Sequence, residues 1–176
     1  MSRSPFAFYR GAAKVMANDL ATTPSTGLHV QICGDAHLSN FGVYGSPERD
    51  LVFDLNDFDE TLPGPWEWDL KRLATSFAIV ARHNEYDAGE ERGLARRAVR
   101  MYREAMLRFA EALYSDVWYA HLDVGKVFSA FSGQLTKKQR KRGAAYIRET
   151  RARDSVYAFD KLAEASGDGV RIASQP

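Results

Sequence analysis

Cysteine is almost missing from this chain: Cys33 is the only one among 176 residues. An intramolecular disulfide is therefore excluded, and a reducing, cytoplasmic compartment is the expectation. Long hydrophobic runs are missing too. No stretch approaches the about 18 consecutive apolar residues that a membrane-spanning helix requires. The opening MSRSPFAFYR has no apolar segment of the secretory kind, so neither membrane insertion nor export is expected. Net charge is close to nil, 24 Lys+Arg against 23 Asp+Glu, which gives no support to a nucleic-acid partner. Internal repeats and biased tracts are also lacking. With 45% hydrophobic and 12% aromatic residues the chain has the composition of a globular protein rather than a disordered one. Its length suits one domain, residues 1–176, with a motif-bearing part over 1–85 and a helical part over 86–176.

The small net charge hides an uneven distribution. Residues 48 to 69 hold eight acidic side chains and a single basic one, whereas residues 137 to 153 hold eight basic and a single acidic one. The first suggests a place for a cation. The second is read as a solvated helix face, because only Tyr146 interrupts it with an aromatic ring.

Hydrophobic spacing supplies the elements. Residues 4–20 are expected to form one helix, with Ser4 as cap, Pro5 in the first turn, and Phe6, Tyr9, Ala13, Met16 and Leu20 on one face. TTPSTG breaks it, and LHVQICG follows as a short strand with Val30 and Ile32 on one side. NFGVYGS and DLVFDL read as two further strands around an SPERD turn, and LPGPWEWD as a rigid loop. Trp66, Leu70, Leu73, Phe77 and Val80 mark a helix, and Leu94, Ala98, Met101, Ala105, Phe109 and Leu113 another. A last one starts near Thr136 and carries Ile147, Val156, Phe159 and Leu162 up to SGDGV. The fold class is α+β, mostly helical, with a small β segment bearing the polar loops.

Chemistry concentrates in CGDAHLSNFGVYGSPERDLVFDLNDFDE, residues 33–60. Asp35 and Asn40 lie on a loop leaving the first strand, and Asp54 ends a later one. Mg²⁺ takes hard oxygen ligands, commonly one or two from protein, with water and phosphate oxygens completing its shell. Asn40 and Asp54 supply such a pair, with Asp57 as a further ligand, and Asp35 is left to orient or deprotonate an attacking hydroxyl. His37 shapes the loop or assists the chemistry. Arg10 either reaches an anionic substrate or pairs with a carboxylate. Asp69 is expected to cap the helix that follows and to tie down the loop. Cys33 is read as a buried, inert thiol, and Trp66 and Trp68 as core. A phosphatase of the haloacid-dehalogenase type is disfavoured, since Asn56 stands where its acid/base Asp belongs. A dinuclear metallophosphatase lacks its second ligand block.

The order Gly34, Asp35, His37, Asn40, then an apolar strand ending in Asp54, then WDLKRLA with Asp69 and Leu70, resembles the protein-kinase-like superfamily. The closer likeness is to aminoglycoside and choline kinases, with Cys33 where those have histidine. More narrowly, SPFAFYRGAA, GDAHLSNFG and FDLNDFDETLPGPWEWDLKRLA resemble the bacterial domain-of-unknown-function family 2252. The resemblance implies a fold like a kinase C-lobe and Mg²⁺-dependent transfer of a phosphoryl group from ATP. The acceptor is left open, as is the oligomeric state. No Gly-x-Gly-x-x-Gly occurs, and Lys14 falls on a helix rather than a strand. The resemblance therefore implies a chain incomplete at its C-terminal end and inactive alone, with a non-catalytic binding scaffold as the alternative and a metal-dependent phosphohydrolase as a further one.

Overall fold

The structure is a computed structural model and describes residues 4–48, 50–152, 163–166 and 169–172. It is α+β and mostly helical, with three separate two-stranded sheets. Two compact units are present. One comprises Met1–Gly42 and Asp54–His121, the other Val43–Phe53 and Leu122–Pro176.

The first unit opens with α1 (Pro5–Arg10). Ser4 caps it by accepting the Ala7 N–H at 3.1 Å, and Pro5, lacking an N–H, stands where none is needed. The expected single helix over 4–20 is in fact two. Gly11 ends α1, donating its N–H to Phe8 and Tyr9 carbonyls, and α2 (Ala13–Leu20) begins afresh. Gly is a poor helix former, at about 1 kcal/mol below Ala, and the direction of α1 is set from outside: the Tyr9 hydroxyl donates to the Arg72 carbonyl at 2.8 Å.

Strand β1 (His29–Ile32) pairs antiparallel with β4 (Leu62–Pro65), where the sequence suggested a loop. Pro63 and Pro65 sit opposite Gln31 and His29. At alternate positions of an edge strand the two missing N–H groups point away from the partner. The Trp66 N–H, in phase with Leu62 and Gly64, donates to the Leu28 carbonyl at 3.3 Å.

Helix α3 (Glu67–His83) is the spine of this unit; α1, α2 and α4 (Ala88–Glu111) all pack on it. Asp87 caps α4 through a reciprocal box, accepting the Glu90 N–H at 2.9 Å while Glu90 accepts the Asp87 N–H at 3.0 Å, which is worth about 1 kcal/mol. A short α5 (Tyr114–Trp118) follows; it includes neither Leu113, expected as the end of α4, nor any residue that the sequence pattern marked.

Strands β2 (Phe41–Gly45) and β3 (Leu51–Leu55) form the second sheet, as expected, across a turn closed by Ser46 N–H to Asp50 O at 2.8 Å. In the second unit Asp123 caps α6 (Val124–Phe131), accepting the Lys126 N–H at 2.7 Å. α7 (Lys137–Ala152) starts where Thr136 indicated, and it packs closely on α6, since a Cβ added at Gly143 would stand 2.4 Å from the Phe128 ring. The expected continuation through Val156, Phe159 and Leu162 lies outside the described residues. Beyond it, β5 (Ala163–Ser166) and β6 (Gly169–Ile172) pair antiparallel, so the segment ahead of SGDGV ends as strand rather than helix.

Candidate functional site

The site grows from the end of β1. Ile32 and Cys33 are buried, and the chain then turns sharply at Gly34, whose φ of +83° is a left-handed conformation suited to glycine. A Cβ there would lie 2.1 Å from the Glu60 carbonyl oxygen, so the loop after β3 presses against this turn. Asp69 holds the same turn from the other side, accepting the Cys33 N–H at 2.7 Å and the Gly34 N–H at 3.0 Å. Thus Asp69 does tie the loop. It does not cap α3, however: it stands inside the first turn, and no side chain caps that helix. Burial pushes its carboxyl pKa up, against the lowering effect of those two N–H donors.

After the turn the loop is closed on itself. The Asp35 carbonyl accepts the His37 N–H and the Asn40 Nδ2, both at 2.8 Å. Leu38 to Asn40 make a short 3₁₀ turn, with the His37 Nδ1 accepting the Ser39 N–H at 3.2 Å. The Leu38 N–H donates to Ser76 of α3 at 3.2 Å. GDAHLSN is thereby fixed largely by hydrogen bonds, and apart from Ala36 its buried residues are polar. Asn40 uses its amide nitrogen on the loop, and its oxygen is the end available to a ligand.

Asp35 is 7% exposed and His37 2%. Asp35 Oδ1 meets the guanidinium of Arg72, and Oδ2 lies 3.5 Å from the His37 Nε2. Arg72 is itself buried; it donates to the Tyr9 carbonyl at 2.9 Å and its Cζ sits 4.4 Å from the centre of the Tyr9 ring. Since the His37 Nδ1 accepts a backbone N–H, the Nε2 carries the proton that faces Asp35. Burial lowers the His37 pKa, and Arg72 adds to that, against the opposing pull of Asp35.

Sequence reasoning missed Arg72 and Ser76. The signal was there, in polar residues at 69, 72 and 76, three and four apart, which put them on one face of α3. That face meets the loop, and the apolar residues of the expected stripe are only half-buried.

A cleft of about 320 Å³ opens beside the loop, lined by Ala7, Arg10, Gly11, Asp35, His37, Asn40 and Asp57. It brings together five of the seven site residues expected from sequence. Asp69 lies behind it. Asp54 is exposed, accepts the N–H of its neighbour Leu55 at 2.8 Å, and is not part of the lining. Asp57 is the carboxylate found there instead, anchored by its carbonyl, which accepts the Cys33 thiol at 3.3 Å. That buried thiol is pushed to a higher pKa by burial, as suits an inert cysteine. Asp59 and Glu60 are exposed, and Arg10 has no ion-pair partner among the described residues.

Among the described residues no three His, Cys, Asp or Glu side chains are grouped to hold a metal. The Asn40 and Asp57 oxygens offer a hard pair of the kind that suits an ion keeping water and phosphate oxygens. No helix among these residues is long and apolar enough to cross a membrane.

No curated protein and no solved structure matches the chain. One family does, over residues 1–176, and the chain belongs to it: the bacterial family described as "Uncharacterized protein conserved in bacteria (DUF2252)".

Proposed function

We propose that the cleft is the acceptor-and-metal half of a phosphotransfer site, working on Mg²⁺-ATP and a hydroxyl-bearing acceptor. What supports this most is the convergence of Asp35, Asn40 and Asp57 on one cleft beside a loop braced on both sides. Asn40 and Asp57 would hold Mg²⁺, which when bound offsets the negative charge of the phosphate oxygens. In this proposal Asp57 takes the place that spacing had given to Asp54. Asp35 keeps Oδ2 for the acceptor's hydroxyl, since Arg72 occupies Oδ1. It would orient that hydroxyl and accept its proton as the acceptor oxygen bonds to the γ-phosphorus of ATP and the bond from that phosphorus to the oxygen of the leaving ADP breaks, and Arg72 prevents the carboxylate from turning. His37 fixes the second oxygen from inside the loop. With no glycine-rich phosphate loop in its 176 residues, the chain by itself is expected to turn over little or no ATP.

The test is paramagnetic. Mn²⁺ added with ATP to the ¹⁵N-labelled chain should broaden the amides of residues 34–41 and 56–58, and both Asn40→Ala and Asp57→Asn should weaken that broadening. Equal broadening in wild type and both variants would sink the metal assignment.

The engagement of Asp35 by a buried guanidinium favours a second reading, a binding scaffold in which Asp35 and Arg72 are purely structural. A chain that shows no Mn²⁺ effect, yet unfolds when Asp35 is replaced by Asn, fits that reading and not the first.

A further inference from the structure

We infer that Arg10 is the residue by which the cleft grips an oxyanion on a substrate, either a nucleotide phosphate or an acid group of the acceptor. The inference takes its substrate classes from the phosphotransfer proposal. It starts from the charges that face the cleft. Asp35 is matched by Arg72. His37 accepts a backbone N–H at Nδ1 and is therefore neutral. Asp57 and Arg10 remain, sharing the lining without forming an ion pair.

An arginine at the last turn of α1 has an ordinary reason to exist, since it suits the negative end of the helix. Its surroundings add another. Ala7 of α1 and Gly11, which ends that helix, also line the cleft. They are the smallest side chains available and leave free space next to the guanidinium. Tyr9, on the other side of α1, is locked by Arg72. The helix that carries Arg10 is therefore tied to α3, and Arg10 is exposed at its end. A cation ion-paired to Asp57 would close the cleft. One that lines the cleft without pairing to Asp57 leaves a cation and oxygen ligands in the same cleft, the combination that an anion bridging to a metal requires.

The experiment is titration calorimetry of the whole chain with two probes, inorganic tripolyphosphate plus Mg²⁺ as the nucleotide tail and glycerate as an acidic acceptor. Wild type is compared with Arg10→Gln and Arg10→Lys, each checked for an unchanged amide spectrum away from α1. Loss of one charge-assisted contact should weaken binding about tenfold in Arg10→Gln, with partial recovery in Arg10→Lys. Loss confined to tripolyphosphate assigns Arg10 to the nucleotide phosphates, and loss confined to glycerate assigns it to the acceptor. Unchanged affinity for both probes, or no binding of either by wild type, overturns the inference. The Mn²⁺ result stands apart. Broadening at Asn40 and Asp57 with no effect of Arg10→Gln removes the anion site and keeps the phosphotransfer proposal. An Arg10 effect without broadening does the reverse.

Discussion

Gly34 shows how much a single residue decides. Its left-handed φ and the Glu60 carbonyl 2.1 Å from any added Cβ act together. Alanine there would bring backbone strain and a clash with main chain that cannot swing aside, about 3 kcal/mol or more in sum. Gly27 is the control, with φ of +80° and nothing within 4 Å of an added Cβ; Gly27→Ala should cost only about 1 kcal/mol. Urea unfolding of the two variants measures the difference, and equal losses would mean that the loop after β3 does not press on the turn. The glycine was visible in the sequence as part of GDAHLSN. The contact that makes it irreplaceable was not, because Glu60 lies 26 positions away and reaches it only once β1 and β4 have paired.

Among the elements, α3 carries the site. It presents Asp69, Arg72 and Ser76 to the loop, and these three side chains hold Gly34, Asp35 and Leu38 in turn. Ser76 is wholly buried, donating to the Leu73 carbonyl at 2.7 Å while accepting from Leu38. Ser76→Ala leaves the Leu38 N–H without its partner and should cost about 2 kcal/mol. Amide exchange at Leu38 should accelerate in that variant more than in the body of α4. An unaltered Leu38 rate would show that the tie carries no energy. The helix itself, the β2/β3 pair, the Ser4 cap and the start of α7 were all legible, since caps, turns and periodic spacing are local. The break at Gly11 and the pairing of a proline-rich strand were not. Each depends on a distant partner, Arg72 for Tyr9 and β1 for Leu62–Pro65.

At the scale of the whole molecule, the buried polar loop links stability to pH. The His37 pKa in the folded chain is lowered, mainly by burial, while in the unfolded chain it is near the usual value of about 6.5. Below that value the unfolded state binds a proton that the folded state resists. Stability is then full at neutral pH and declines as the pH falls from about 6.5 toward the folded value. The urea midpoint should drop between pH 7 and pH 5 more steeply than in His37→Gln, and matching slopes would exclude His37 as the cause. The first unit also bears a large apolar cleft, about 530 Å³, where Trp66 stacks on Tyr102 at 5.6 Å beside Leu28, Val30, Val99 and Met106. The periodicity marked Val30 and Trp66 as inward-facing. Only the packing of α4 on α3 left them lining a surface.

By itself the sequence determined the fold class, the starts of α1, β1, β2, β3, α3 and α7, and the segment on which buried polar side chains gather. These follow from short-range rules: which residues cap, which turn, which repeat at two or at three to four. Which carboxylate reaches the cleft was decided by tertiary structure alone. Asp54 and Asp57 are close in sequence, yet Asp54 is held on β3 while Asp57 lies two residues beyond its end. The end of β3 and the course of the loop after it put Asp54 in solvent and Asp57 beside Asn40. The pairing of Asp35 with Arg72 was decided in the same way. A buried charge needs a partner at contact distance, and only the docking of α1, the loop and α3 supplies one.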